Sequence, residues 1–342
     1  MRFIATIGLG LVSSALFTVP ASAQTLTTIF AGGNSLTSPF ANTMDITVTN
    51  KGGIVIESID VNCENTRQGG VGTKFDVEVH FTAKGVTYLG NSNTPALWSG
   101  PSGTGSSTSN ASGTPTNVDI TDVFVPPGQW AMGIRFVIPS GSSGTAIAYT
   151  NGNGPNQTYS NADLKLDLGS AVTGLVNGSV YNPRVWNGTI YYRAGKDTGK
   201  VAALGAFGRG CDGGVANGAP TLAGGAKNPV PKLGGLFDLQ FDNLPASAGA
   251  GFLYLGFFFE KWGPMNLPAD LNIIGQPGCL TYTTPDVLVP FGHPGKSHLL
   301  ILGVPNTPSA AGVAIGAQAL IVDGASRTGA TGTNMVGGRI GN

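Results

Sequence analysis

The sequence predicts an all-β protein built of two tandem antiparallel β-sandwiches, jelly-roll or Ig-like, and three observations carry that prediction. Apolar and polar residues alternate strictly in several short runs. Gly, Pro and Asn punctuate the chain between those runs, and no segment of useful length repeats with the helical period. Glycine is abundant at 54 of 342 residues, whereas Glu, Lys and Arg, which usually fill exposed helix faces, are scarce. Gly and Ser also enrich disordered chains, but a hydrophobic share of 41% and recurrent aromatic strands predict packed cores.

The amino terminus reads as a cleavable secretory signal over residues 1–23. Arg2 supplies the positive start, residues 3–19 form an uncharged and mostly apolar run, and Pro20 leads into the small-x-small pattern Ala21-Ser22-Ala23. Cleavage would leave Gln24 first. The run is short for a membrane span and is diluted by Gly8, Gly10, Ser13 and Ser14, and no later stretch of about 18 residues is continuously apolar. The expected mature chain therefore has no membrane span. With no apolar, basic tail at residues 337–342 to retain it, it is expected in the medium or the periplasm.

A first sandwich is expected over residues 24–194. Strands are predicted at 44–49 and 54–61, joined by the turn signal Asn50-Lys51-Gly52-Gly53. Phe75-Asp76-Val77-Glu78-Val79-His80-Phe81 alternates perfectly, which predicts one buried and one wet face. Trp130, Met132, Ile134, Phe136 and Ile138 mark another strand, Leu164, Leu166 and Leu168 a further one, and residues 185–192 close the set. Residues 99–117, nearly all Gly, Ser, Thr, Pro and Asn, predict a mobile surface loop.

Charge and small residues at 195–200 predict a linker, with a second sandwich over 201–342. Its strands are expected at 237–241, 252–262, 299–304 and 314–322. The stretch 252–262 is apolar on both faces until Glu260, which predicts a central strand covered on both sides.

Three cysteines cannot all pair with one another. Cys211 and Cys279 sit in similar Gly-rich settings, Gly208-Arg209-Gly210-Cys211 and Pro277-Gly278-Cys279, and export favours a disulfide between them. Cys63 is then left as a small buried hydrophobe. No Cys-x-x-Cys or Cys/His spacing suggests zinc.

Two groups of phrases resemble uncharacterised secreted bacterial β-sandwich modules. Ser160-Asn161-Ala162-Asp163-Leu164 with Pro183-Arg184-Val185-Trp186-Asn187-Gly188-Thr189-Ile190-Tyr191-Tyr192 resembles the end of one such module. Gly210-Cys211, Leu267-Pro268-Ala269-Asp270-Leu271, Pro277-Gly278-Cys279-Leu280, Gln318-Ala319-Leu320 with Asp323, and Thr333-Asn334 resemble another. These modules have no established activity. The resemblance implies location and fold rather than chemistry, and it reinforces the Cys211–Cys279 pairing.

Only 11% of residues are charged and the net charge is zero, so no nucleic-acid partner is expected. Gly-x-Ser-x-Gly and phosphate-binding glycine loops are absent. His293 and His298 with Asp286, or Asp76 with Glu78 on one strand face, are the nearest approach to hydrolytic groups. A solvated loop and a wet sheet face explain them better. No catalytic residues and no cofactor are therefore expected. Asp45, Asp60, Glu64, Asp119 and Asp122 near strand ends could hold a structural calcium ion.

Sugar recognition on a sandwich uses exposed rings flanked by amides. Trp98, Tyr149, Tyr159 and Tyr181, with Asn151 and Asn153 in the Asn-rich stretch 150–158, form the candidate ligand surface, whereas Trp130, Trp186 and Trp262 read as core. The expected function is a secreted, non-catalytic extracellular module for surface structure, adhesion or matrix association, with a glycan or a surface protein as partner. A carbohydrate-binding protein is the alternative, and a secreted hydrolase a second one.

Overall fold

The computed structural model describes residues 23–37, 39–64, 71–138, 146–174, 177–195, 201–215 and 218–342. The expected signal peptide, apart from Ala23, and linker residues 196–200 lie outside them. The chain is all-β, and every pairing between named strands is antiparallel. No helix of the described residues is long and apolar enough to cross a membrane.

Two seven-stranded sheets stack in the first half. One runs Gln24–Thr27, Gly188–Ala194, Ile54–Glu64, Ala146–Asn151, Arg184–Trp186, with Pro115–Val125 and Asn34–Thr37 attached. The other runs Thr158–Ser160, Leu164–Thr173, Phe40–Val48, Gly128–Val137, Lys74–Phe81, Gly103–Thr108, with Val180–Tyr181 attached. The alternation fixes which residues face inward. Phe75, Val77, Val79 and Phe81 meet Trp130, Met132, Ile134 and Phe136 in a core that also buries Trp186. Cys63 is buried in this core, its Sγ 3.5 Å from Thr116 Oγ1.

The opposite face of the second sheet is covered, although alternation predicted it to be wet. Residues 82–102 fold over it, and Tyr88, Trp98 and Ala131 form a satellite cluster there. His80 is buried beneath this segment, with Nδ1 3.0 Å from the Ser99 carbonyl. Asp45 accepts hydrogen bonds from Thr87 Oγ1 (2.6 Å), the Tyr88 amide (2.9 Å) and Gln129 Nε2 (2.9 Å). The polar side chains of this face serve a covering loop rather than solvent.

Residues 99–117 are also more ordered than their composition predicts, because they contribute the strand Gly103–Thr108 and the start of Pro115–Val125. Gly105 lets the two strands approach: a Cβ there would lie 2.2 Å from the Asp119 carbonyl oxygen.

The second half pairs a six-stranded sheet with a three-stranded one. The first runs Ala203–Phe207, Met335–Arg339, Ala314–Val322, Gly249–Gly256, Val287–His293, with Ala330–Gly332 attached to Ala314–Val322; the second runs Thr221–Gly224, Leu236–Asp242, His298–Gly303. Phe237, Leu239, Phe241, Leu253, Phe291 and Ile321 fill the space between them. The Cys211–Cys279 disulfide forms as the sequence predicts.

The central strand expected at 252–262 ends at Gly256, where a Cβ would lie 1.9 Å from the Thr284 carbonyl oxygen. Its outer face is covered at Tyr254 but open at Phe252, and Phe257 and Phe258 just beyond the strand are exposed as well. Phe259 leaves the sheet for the first-half core, 6.3 Å from Phe124. Trp262, expected as core, is half-buried in the short hairpin Lys261–Trp262 with Met265–Asn266.

The two halves share a packed seam. Phe207 from the second half enters the core of the first. Arg339 donates from Nη1 to the Gly52 carbonyl at 2.6 Å while its guanidinium lies 5.5 Å from the Phe124 ring centroid. Ser102 Oγ donates to the Ala206 carbonyl at 2.7 Å and accepts from its amide at 3.0 Å.

Candidate functional site

The structure disperses the predicted aromatic surface. Trp98 is only 5% exposed, packs over Gly133 and donates from Nε1 to the Asn91 carbonyl at 3.0 Å. Tyr149 is 4% exposed, with the Arg184 guanidinium 5.6 Å from its ring centroid. Neither ring presents a face to a ligand: Trp98 belongs to the segment that lies on the second sheet, and Tyr149 on the strand Ala146–Asn151 is part of the first-half core. Tyr159 is half-buried against the core opposite Leu166, and Tyr181 is 38% exposed opposite Ala171. Both tyrosines lie along the same edge of Leu164–Thr173, five positions apart in register, which is about 17 Å of strand.

The neighbouring amides are occupied locally. Asn151 Oδ1 accepts from Asn34 Nδ2 at 2.7 Å, and Asn153 exchanges hydrogen bonds with Asn156, its amide donating at 2.9 Å and its Oδ1 accepting at 3.2 Å. Such turns explain the Asn enrichment through backbone geometry.

The candidate acid–base groups are also engaged. Glu78 Oε2 lies 2.7 Å from Arg135 Nη1 and 3.2 Å from His80 Nε2. The His80 contact, followed by Arg135, holds its carboxyl down at about 2, against the opposing effect of burial. A carboxyl held so low is a poor proton donor near neutral pH. Asp76 accepts from Ser106 Oγ at 2.6 Å. His293 is buried with Nδ1 3.1 Å from the Gly295 carbonyl, while Asp286 accepts from the Phe257 amide at 2.9 Å and so belongs to a different turn.

Among the described residues no three His, Cys, Asp or Glu side chains converge as metal ligands. Of the carboxylates considered for calcium, Asp45 is engaged by the three donors named above. Asp60 accepts from the Tyr191 hydroxyl at 2.8 Å and from Asn117 Nδ2 at 3.0 Å.

The surface that stands out lies elsewhere, in the second half. Of the fourteen exposed large apolar residues described, eleven lie between Leu236 and Val322. Four of them lie on two edge strands, Val287–His293 and His298–Gly303, each paired on one side only among the described residues. A bare edge offers unpaired amides and carbonyls to any further strand, and natural edges are usually guarded by Pro, charge or a bulge. Val287–His293 carries Pro290, which has no N–H to offer. His298-Leu299-Leu300-Ile301-Leu302-Gly303 has neither Pro nor a Lys, Arg, Asp or Glu. Leu299 and Ile301 are 44% and 51% exposed on its outer face, while Leu300 and Leu302 pack inward against the second core. The sequence signal was present in the Leu-Leu-Ile-Leu run, but periodicity cannot say whether a strand is central or at an edge.

Together, fold and site define a protein of stacked antiparallel sheets, tied by one disulfide and ending one sheet in an unguarded apolar strand. No known family model matches the chain, and no curated protein matches it.

Proposed function

We propose that this is an exported, non-catalytic module of the extracellular surface or matrix that assembles with copies of itself through the edge strand His298–Gly303. The unguarded state of that edge carries the proposal. Antiparallel pairing of the strand with its own copy about a two-fold axis would join two three-stranded sheets into one of six. An isologous contact requires a patch complementary to itself, and an uncharged apolar strand meets that requirement without like-charge repulsion. The zero net charge of the chain does not oppose self-association either. Export is supported by the amino-terminal signal pattern and by the Cys211–Cys279 disulfide.

Sedimentation of the chain from Gln24 onward across a wide concentration range is the test. A concentration-dependent dimer is expected, converted to monomer by Ile301→Lys, which places a charge on the outer face and leaves the inward Leu300 and Leu302 in place. A monomer at every concentration, or a dimer that survives Ile301→Lys, would overturn the assignment of this edge.

A further inference from the structure

A cleft of about 440 Å³ opens beside the disulfide, lined by Arg209, Cys211, Gly213, Gly214, Pro277 and Arg327 among others, with Ala96 of the first half closing one wall. Its volume falls within the range of small-molecule sites, about 300 to 1,000 Å³. We infer that this cleft binds the carboxylate of an acidic sugar unit, a uronic acid, through Arg209 and Arg327.

The charge pattern is the first argument. Arg135 and Arg193 each pair with a glutamate, and Arg339 is fixed on a carbonyl. Arg209 and Arg327 are exposed and make no ion pair among the described residues, yet both line the same concavity. A guanidinium presents a planar fork of donors that matches a carboxylate in two parallel hydrogen bonds.

The second argument is how the wall is built. Gly213 and Gly214 have φ of +56° and +83°, a left-handed pair that brings bare backbone to the cleft. Arg327 lies against that turn: its amide donates to the Gly213 carbonyl at 3.1 Å, and a Cβ on Gly214 would lie 3.0 Å from its Nε. The backbone amides of Gly213 and Gly278 have no acceptor among the described residues. Both glycines line the cleft together with the two arginines.

Asp212 also lines the cleft, its Oδ1 accepting from the Gly214 amide at 2.8 Å. Two guanidiniums against one carboxylate leave a single positive charge, which suits a monoanion. Ala96, Ala219 and Pro277 supply an apolar wall for the C–H face of a sugar ring. This site lies away from the strand His298–Gly303 and does not depend on self-association there.

The test is calorimetric titration of the chain from Gln24 onward with trigalacturonate, with maltotriose as the neutral control and inorganic sulfate as the free-anion control. Trigalacturonate is expected to bind, to weaken as salt is raised beyond physiological strength, and to lose at least tenfold in affinity in the double variant Arg209→Gln with Arg327→Gln. That variant should keep the thermal midpoint of the parent, because neither side chain has a hydrogen-bond or ion-pair partner among the described residues. Equal affinity for maltotriose, unchanged binding by the double variant, or no binding of trigalacturonate would overturn the inference. Sulfate binding as tight as trigalacturonate would overturn the sugar assignment.

Discussion

The ring of Phe207 lies 4.5 Å from that of Trp130, tilted by 47°, although the two side chains come from opposite sides of the boundary expected at 195–200. Phe81 completes the contact at 5.1 Å. A ring this deeply buried cannot be removed without leaving a cavity in the first-half core. Phe207→Ala should therefore cost about 3 to 5 kcal/mol, and the loss should appear in the unfolding of both halves together. Urea denaturation followed by Trp fluorescence and far-UV circular dichroism checks this: two separate transitions, only one of them shifted, would show that the seam does not couple the halves.

The disulfide closes a sequence separation of 68 residues between Cys211 and Cys279, reaching from the first strands of the second half to the segment that leads back into its sheets. On the chain-entropy estimate, fixing a loop of that length removes about 4 kcal/mol of stability from the unfolded state's favour. Replacing both cysteines by alanine should lower the denaturation midpoint by a corresponding amount. Reducing agent should lower the midpoint of the parent chain to the same value and leave the variant unchanged. A parent midpoint insensitive to reductant would contradict a structural role.

Strand positions were legible wherever apolar and polar residues alternated, because inward and outward side chains obey different chemistry. The alternation at Phe75 to Phe81 locates both the strand and its core face correctly. What covers the other face was not legible. His80 looks like a wet-face residue from its own strand, and only the fold of residues 82–102 makes it buried. Trp98 reads as a ligand ring for the same reason: a loop position does not reveal that the loop lies on a sheet. The strand Gly103–Thr108 was invisible because its Gly and Ser residues pack by close backbone approach, as Gly105 does against Asp119, and leave no hydrophobic period. Phe252 misled in the opposite direction. An apolar residue facing outward reads as buried when the sequence is the only guide, and here it is part of an exposed surface.

Glu78 gives the acid side of the pH dependence. His80 and then Arg135 hold its carboxyl at about 2, below the ordinary 4.5. A carboxylate with a lowered folded-state pKa stabilises the protein above its unfolded value, and that contribution disappears as pH falls from about 4.5 to about 2. Glu78→Gln should thus cost about 1 kcal/mol at neutral pH, allowing for solvent screening at a partly exposed pair. The deficit should close toward the bottom of that window. Chemical denaturation of both proteins at a series of acidic pH values measures it, and a deficit constant with pH would place the effect in packing rather than charge.

Asp122 has the opposite sign. It lies on Pro115–Val125 and lines a cleft of about 410 Å³ at the seam, together with Ser102 from its own half and Leu204 and Lys232 from the other. Burial first, then the nearby carboxylates of Glu57 and Asp119, raise its pKa from 3.8 to about 6, and Arg193 offsets this only in part. Arg193 is itself paired with Glu57, Nε to Oε1 at 2.5 Å. Because the folded state holds this proton more tightly than the unfolded chain, the contribution of Asp122 to stability is fully present below pH 3.8 and is lost as pH rises through about 6. Asp122→Asn removes the charge and keeps the shape, so at neutral pH it should stabilise the protein by about 1 kcal/mol once screening at this partly exposed site is allowed for. Below pH 3.8 the variant and the parent should coincide. Thermal or urea midpoints across that range decide the matter. A variant less stable than the parent at neutral pH would mean that the ionised carboxylate has a partner across the seam, where Lys232 lines the same cleft.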